Sequence, residues 1–176
     1  MTTDDAGIYF AAVKISTLIG VGITAMNIVV APQISQHYSA GKKSDLQGVI
    51  TFSTRIIFAL TLPAVLIVVF MGKWILSFFG PEFTSAYPAL VVLAIGQMVN
   101  AFSGSVGYIT TMTGHERISS AVLGVSLGIN ILLNYIFIQY FDIFGAALAT
   151  ATTTALWNVA LIVFVRKKLK LKSTIF

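Results

Sequence analysis

Long apolar runs separated by short polar breaks dominate the chain. An α-helix rises about 1.5 Å per residue, so roughly 20 apolar residues cross a hydrocarbon core of about 30 Å. The runs lack the period-2 alternation of transmembrane β-strands. The pattern therefore predicts an all-α membrane protein, a polytopic bundle of about five transmembrane helices at residues 6–38, 46–71, 85–112, 118–141 and 145–165.

The breaks between these runs predict the connections. Residues 39–45 form a polar loop in which Gly41 would stop a helix. The longer stretch 72–84 predicts a connection with a short interfacial helix, and tight turns are expected at 113–117 and 142–144. The first run is too long for one straight crossing, so we expect it to project into the cytoplasm or to kink at Pro32. No linker interrupts the pattern, which indicates a single membrane domain over 1–176.

Composition excludes a soluble protein. Hydrophobic residues make up 57% of the chain and charged residues only 10%, with a mean hydropathy of +0.91. A soluble domain carries about 25% charged residues. The net charge of +5 does not indicate nucleic-acid binding, because five of the eleven cations lie at 166–172, directly after an apolar run, where they act as a topology signal.

The distribution of cations predicts the orientation. If the tail 166–176 is cytoplasmic, alternation also places 39–45 and 113–117 inside, and these three segments hold eight Lys and Arg residues. The segments on the other side hold only Lys73. The positive-inside rule therefore predicts an outside N-terminus and a cytoplasmic C-terminus.

Two basic residues lie well inside predicted spans, Lys14 and Arg55. Either could snorkel to the headgroups on its long stem. The alternative is that both face a hydrated cavity, because a cation exposed to lipid at that depth is costly. No Asp or Glu lies at comparable depth, so such a cavity would be electropositive and suited to an anion such as a phosphate.

Amide side chains within the spans give a second signal. Gln97, Asn100 and Gly104 share one face of a helix, and so do Asn130 and Asn134. These amides either make interhelical hydrogen bonds or line a path for a sugar. No cluster at metal-ligand or catalytic spacing surrounds His37 or His115, so we expect no enzymatic activity, no metal and no cofactor.

Small residues predict close helix packing at two places. Gly124 and Gly128 form a GxxxG pair, and residues 145–155 are small throughout. Such faces allow helix backbones to approach closely in a membrane.

Four motifs carry a resemblance to a known family. They are APQIS at 31–35, followed by Tyr38; FGPEF at 79–83, followed by PAL at 88–90; Thr113 and Gly114 followed by Arg117; and Asn130 and Asn134 followed by FGAALAT at 144–150. In order and spacing they resemble the C-terminal part of the oligosaccharide flippases. These are the O-antigen translocase branch of the multidrug/oligosaccharidyl-lipid/polysaccharide exporter superfamily.

The resemblance implies most of one lobe of a two-lobed exporter with a cationic cavity and alternating access. The implied substrate is undecaprenyl-pyrophosphate-linked oligosaccharide for cell-surface polysaccharide or lipopolysaccharide O-antigen, in the bacterial inner membrane. Lys14 and Arg55 would contact the pyrophosphate, while Gln97, Asn100, Asn130 and Asn134 would meet the sugar.

The same resemblance implies a missing first lobe. The chain is then a truncated fragment, or a complementary N-terminal lobe or polysaccharide-assembly enzymes act as partners beside the lipid bilayer. Two other functions stay open. One is a multidrug cation exporter lobe on the same fold, and the other is a non-transporting membrane scaffold.

Overall fold

The computed structural model describes residues 3–174, with side chains from residue 5 onward. Within that range the regular structure is helical, which confirms the all-α class. A single 3₁₀ segment, Pro81–Ala86, precedes α4, and a π-helical turn, Val165–Leu169, follows α6. The six α-helices are α1 Thr3–Ile19, α2 Val21–Ser39, α3 Lys43–Ser77, α4 Tyr87–Ser103, α5 Val106–Met112 and α6 Glu116–Phe164.

Several of these helices are long and apolar enough to cross a membrane. In the described range they are Lys43–Ser77, Pro81–Ser103 and Glu116–Leu169, and the bent pair α1–α2 makes a fourth if it counts as one span. Asp142 interrupts α6 with φ 46° and ψ −127°. The arms on either side, 116–141 and 143–164, fold back on each other, since Asn130 Nδ2 donates to Thr153 Oγ1 at 3.3 Å. These arms occupy the positions of the predicted fourth and fifth spans.

The first predicted span bends at Gly20. The axes of α1 and α2 differ by 41° across Gly20. A Cβ at Gly20 would lie 3.3 Å from Gln97 Oε1, so this glycine lets α4 pack against the bend. Pro32 lies inside α2, exposed, and the helix continues through it. A membrane helix tolerates the loss of one backbone hydrogen bond at a proline, and the alternative of a kink at Pro32 stays a prediction.

The predicted connection at 72–84 begins too early. Helix α3 continues through Gly72 to Ser77, so the predicted interfacial helix is the last part of α3. A Cβ at Gly72 would lie 3.1 Å from the ring of Tyr87, whose hydroxyl donates to the Val69 carbonyl at 2.7 Å. Gly72 is therefore a packing position for α4 within a continuous helix, and the connection starts near Phe78.

The third predicted span is broken at Gly104. Helix α4 ends at Ser103 and α5 begins at Val106. Gly104 adopts φ 63° and ψ −148°, a backbone conformation that residues with a Cβ rarely adopt. Gly104 therefore does not share a helix face with Gln97 and Asn100, as a continuous helix would require.

Two apolar clusters define the two ends of the bundle. One joins α1, the C-terminal half of α3, and α4 around Leu76 and Leu90. The other joins the C-terminal half of α2, the start of α3, α5 and the tail around Ile34 and Leu46. His115 contacts Phe164 at 5.3 Å between ring centroids, so the α5–α6 turn also belongs to the second end. The second end thus contains the eight cations counted above.

Small residues pack closely in one of the two predicted places. A Cβ at Gly96 would lie 3.3 Å from the Cα of Ala151, and one at Gly145 would clash with the Phe137 carbonyl. A Cβ at Gly124 or Gly128 would meet nothing within 4 Å. The GxxxG pair is therefore not a packing face within this chain, because no described helix lies against it.

Candidate functional site

A cavity of about 570 Å³ lies where both broken helices meet α6. The α1–α2 bend contributes Gly20, the α4–α5 break contributes Gly104 and Ser105, and the second arm of α6 contributes Trp157 and Asn158. Further polar and aromatic lining residues are Thr17, Thr24, Asn27, Gln97, Asn100, Tyr108, Thr111 and Ser119. Its volume is within the range of small-molecule sites, about 300–1,000 Å³.

The lining is uncharged and mixed, with Ile23, Val106 and Met112 beside the polar groups. No Asp, Glu, Lys or Arg of the described chain lies among the lining residues, which present amides, hydroxyls and two aromatic rings. Recognition in this cavity therefore depends on hydrogen bonds and ring contacts. Neutral polar ligands suit it better than ions do.

Asn158 is the most deeply placed of these amides, with no exposed surface. Its Nδ2 donates to Asn100 Oδ1 at 3.2 Å and to the Thr154 carbonyl at 2.9 Å. It therefore links the second arm of α6 to α4 at the wall of the cavity. The sequence analysis missed Asn158, although it is the only Asn between residues 145 and 165.

Three buried oxygens on the cavity wall have no hydrogen-bond partner within the described chain. They are Asn27 Oδ1, Ser105 Oγ and Asn158 Oδ1. A buried polar atom without a partner costs about 1–3 kcal/mol, so proteins rarely leave one unsatisfied. Three among the residues that line one cavity mark a place where a small side-chain rotation would let water or a ligand complete the hydrogen bonds.

The predicted amides divide into two groups. Gln97 and Asn100 line the cavity. Asn130 and Asn134 lie outside it: Asn130 bonds Thr153 across the α6 hairpin, and Asn134 Nδ2 donates to the Asn130 carbonyl at 2.9 Å and to Asn130 Oδ1 at 3.0 Å. This second pair makes the interhelical and local hydrogen bonds that were the alternative to a sugar path.

The two predicted cations are also outside the cavity. Lys14 is exposed, with Nζ 5.0 Å from the centroid of the Phe10 ring, one helical turn before Thr17 at the cavity wall. Arg55 is exposed on α3 near exposed Phe52, and no described residue pairs with it. The described residues therefore bring neither cation to the cavity, and a cationic lining there stays a prediction.

Broken membrane helices around a cavity that holds polar groups are a recurring feature of secondary transporters. The MatE family matches residues 4–136, and the chain belongs to that family. This places it in the multidrug/oligosaccharidyl-lipid/polysaccharide exporter superfamily, as the motifs indicated.

Curated relatives agree with this membership. The chain is 28% identical over 160 residues to "Probable low-salt glycan biosynthesis flippase Agl15" of Haloferax volcanii, covering 90% of this chain and 34% of the relative. It is 26% identical over 162 residues to "Probable flippase AglR" of the same organism, with the same coverage.

An uncharacterized membrane protein of Methanocaldococcus jannaschii, MJ1068, is 30% identical over 128 residues, which cover 72% of this chain and 25% of the relative. The chain thus spans about a third or less of the length of these relatives. No solved structure matches it significantly.

Proposed function

We propose that the chain forms part of a flippase for a lipid-linked oligosaccharide, and that its cavity receives the sugar. The observation that carries this proposal is the uncharged cavity with its three unpaired buried oxygens. Sugar hydroxyls both donate and accept hydrogen bonds, so they can pair with the amides of Asn27 and Asn100, and with Asn158 once its buried Oδ1 turns toward the cavity. Tyr108 and Trp157 offer apolar faces to the C–H face of a sugar ring.

The roles of the predicted residues follow from their positions. Gln97 and Asn100 would bind sugar hydroxyls, while Asn130 and Asn134 would hold the α6 hairpin. Lys14, one turn beyond the cavity wall, would contact a phosphate linked to the sugar. Arg55 would act in the same way only if the rest of the transporter covers its face of α3, because an Arg exposed to lipid at that depth is costly.

The proposed substrate, carrier lipid, membrane and orientation each rest on a separate observation. The printed name of Agl15 describes a glycan biosynthesis flippase, which favours a glycan substrate. An undecaprenyl-pyrophosphate carrier, an O-antigen product and a bacterial inner membrane with the C-terminus inside come from the motif resemblance and the cation count. Alternating access needs a facing wall, and the chain spans about a third of Agl15, so we propose that a complementary lobe completes the transporter.

A multidrug cation exporter is the second candidate. It would favour a carboxylate in the cavity, and the described lining has none. A non-transporting scaffold would need no cavity with unpaired polar atoms. Both observations favour glycan transport, and family membership favours transport over catalysis.

The test is a transport assay on the complete transporter that contains this sequence, reconstituted in proteoliposomes. Two fluorescent substrates are compared, a polyprenyl pyrophosphate that carries an oligosaccharide and the same lipid without it. We expect the glycan-bearing lipid to cross the bilayer at least about tenfold faster, because only the glycan pairs with the cavity amides. Equal rates, or transport of an organic cation alone, would contradict the proposal.

A further inference from the structure

The basic tail folds back onto the bundle. After the π-helical turn Val165–Leu169, Lys170 adopts a left-handed conformation with φ 55° and ψ 38°, which reverses the chain. Leu169 and Leu171 are 5% and 2% exposed, and they pack in the apolar cluster with Leu46 and Ile50 of α3. Residues 169–173 therefore alternate, with Leu169, Leu171 and Ser173 buried and the two lysines between them exposed.

Two side chains of α3, Gln47 and Thr54, form hydrogen bonds with the backbone of this tail. Gln47 Oε1 accepts from the Lys172 N–H at 2.8 Å, and Gln47 Nε2 donates to the Lys172 carbonyl at 2.8 Å, as a neighbouring β-strand would. About two turns further along α3, Thr54 Oγ1 donates to the Ser173 carbonyl at 3.1 Å. The docked position of the tail is therefore specific and extends to the α4–α5 break.

Docking brings two groups of cations together. The α2–α3 turn and the tail share a small cavity of about 140 Å³, which is lined by Gly41, Lys43, Leu169 and Leu171 among others. We call the exposed cations at this place the basic platform. They are Lys42, Lys43, Arg166, Lys167, Lys168, Lys170 and Lys172.

The basic platform carries a large excess of positive charge. Within the described chain none of its cations forms an ion pair, and Asp45, two residues after Lys43, is the acid nearest to it in sequence. Like charges held together repel one another, so anions from outside the chain would stabilise the docked tail. The platform lies at the ends of the membrane-spanning helices α3 and α6, where lipid headgroups lie.

We propose that the basic platform binds anionic lipid headgroups, and that this binding keeps the tail docked. The leucines of the tail pack against the bundle while its lysines are exposed, so the same segment can contact the bundle and the lipid headgroups. The docked Ser173 carbonyl would lie 2.8 Å from a Cβ at Gly104, and Gly104 lines the large cavity. Anionic lipids that keep the tail docked would thereby also hold the Ser173 carbonyl against the α4–α5 break. This inference does not depend on which substrate is transported.

The test measures tail docking through a buried thiol. The chain has no Cys, so Ser173→Cys introduces a single thiol at a position that is 1% exposed when the tail is docked. The full chain is placed in nanodiscs of phosphatidylcholine, with or without 30% phosphatidylglycerol, and its reaction with an uncharged maleimide is timed. Ser39→Cys, exposed at the same end, controls for the effect of surface potential on thiol reactivity. Adding Gln47→Ala gives the reference rate of an undocked tail.

We expect the Ser173→Cys thiol, relative to Ser39→Cys, to react about tenfold more slowly in the anionic nanodiscs. High salt, or the triple change Lys167→Gln, Lys168→Gln and Lys170→Gln, should abolish the difference. Equal protection in both bilayers, or a lipid effect that survives the triple change, would overturn the proposal. Protection by inorganic phosphate in neutral nanodiscs would overturn it too, because the site would then bind phosphate as such.

Discussion

Replacement of Gly104 by alanine tests whether the broken helix at the cavity depends on glycine. Gly104 lies between α4 and α5 with φ 63° and ψ −148°. A Cβ there would clash with Thr54 Oγ1 and would lie 2.8 Å from the Ser173 carbonyl oxygen. The substitution therefore strains the backbone and also pushes α3 and the docked tail away from the break.

The expected loss of stability combines these two effects. A non-glycine residue in such a backbone region costs about 1–3 kcal/mol. Overpacking of a buried contact adds typically about 1–3 kcal/mol, less whatever the tail recovers by moving. We expect Gly104→Ala to lower the free energy of unfolding by at least about 2 kcal/mol. Removal of the Thr54 hydroxyl in the same protein should recover only part of that loss, because the backbone strain remains.

The assay is reversible unfolding in mixed micelles as the denaturing detergent fraction rises, followed by circular dichroism. Gly107→Ala is the matched control, since a Cβ at Gly107 would make an ordinary 3.5 Å contact with Trp157 in a helical position. That control should be neutral or slightly stabilising. If Gly104→Ala unfolds at the same detergent fraction as Gly107→Ala, the structural account of the break is wrong.

Two further predictions concern packing between helices. Gly96→Val should destabilise the bundle by about 1–3 kcal/mol, because a Cβ there would lie 3.3 Å from Ala151 Cα, whereas Gly124→Val should change stability by less than about 1 kcal/mol in the same unfolding assay. Gln47→Ala removes both hydrogen bonds to the backbone of Lys172 and should speed proteolysis of the tail several-fold in a limited trypsin digest. Equal stability of the Gly96→Val and Gly124→Val variants would contradict the packing assignment. A tail cleaved at an unchanged rate in Gln47→Ala would contradict the assignment of its docking.

The local pattern of the sequence was enough to predict the helical class and most of the helical segments, but not their breaks. Runs of apolar residues give the all-α class, and Gly41, with φ 67°, ends α2 as predicted. The bend at Gly20 was not predictable in this way, because Gly20 packs against Gln97, which is distant in sequence. The same holds for Gly72, which looked like a break and is a contact for Tyr87.

The candidate site was only partly predictable. Gln97 and Asn100 were found because two amides on one helix face stand out in an apolar run. Asn158 stood alone in its span and gave no such pattern, yet it is fully buried and bonds Asn100. The cost of exposing an Arg to lipid suggested that Arg55 faces a cavity, but Arg55 is exposed and no described helix covers its face of α3.

The central claim is that the amides of this cavity bind the glycan of a lipid-linked substrate. The most direct test replaces Asn158 by the isosteric leucine in the complete transporter and measures the rate at which the glycan-bearing lipid crosses the bilayer of proteoliposomes. Asn134→Leu is the matched control, since it changes the same kind of side chain in the α6 hairpin, outside the cavity. Each change should cost about 1 kcal/mol of stability or less.

We expect Asn158→Leu to slow glycan-lipid transport by at least about tenfold, which corresponds to about 1.4 kcal/mol, while Asn134→Leu keeps most of the rate. Equal rates for Asn158→Leu and the unmodified transporter, at equal amounts of folded protein, would contradict the account.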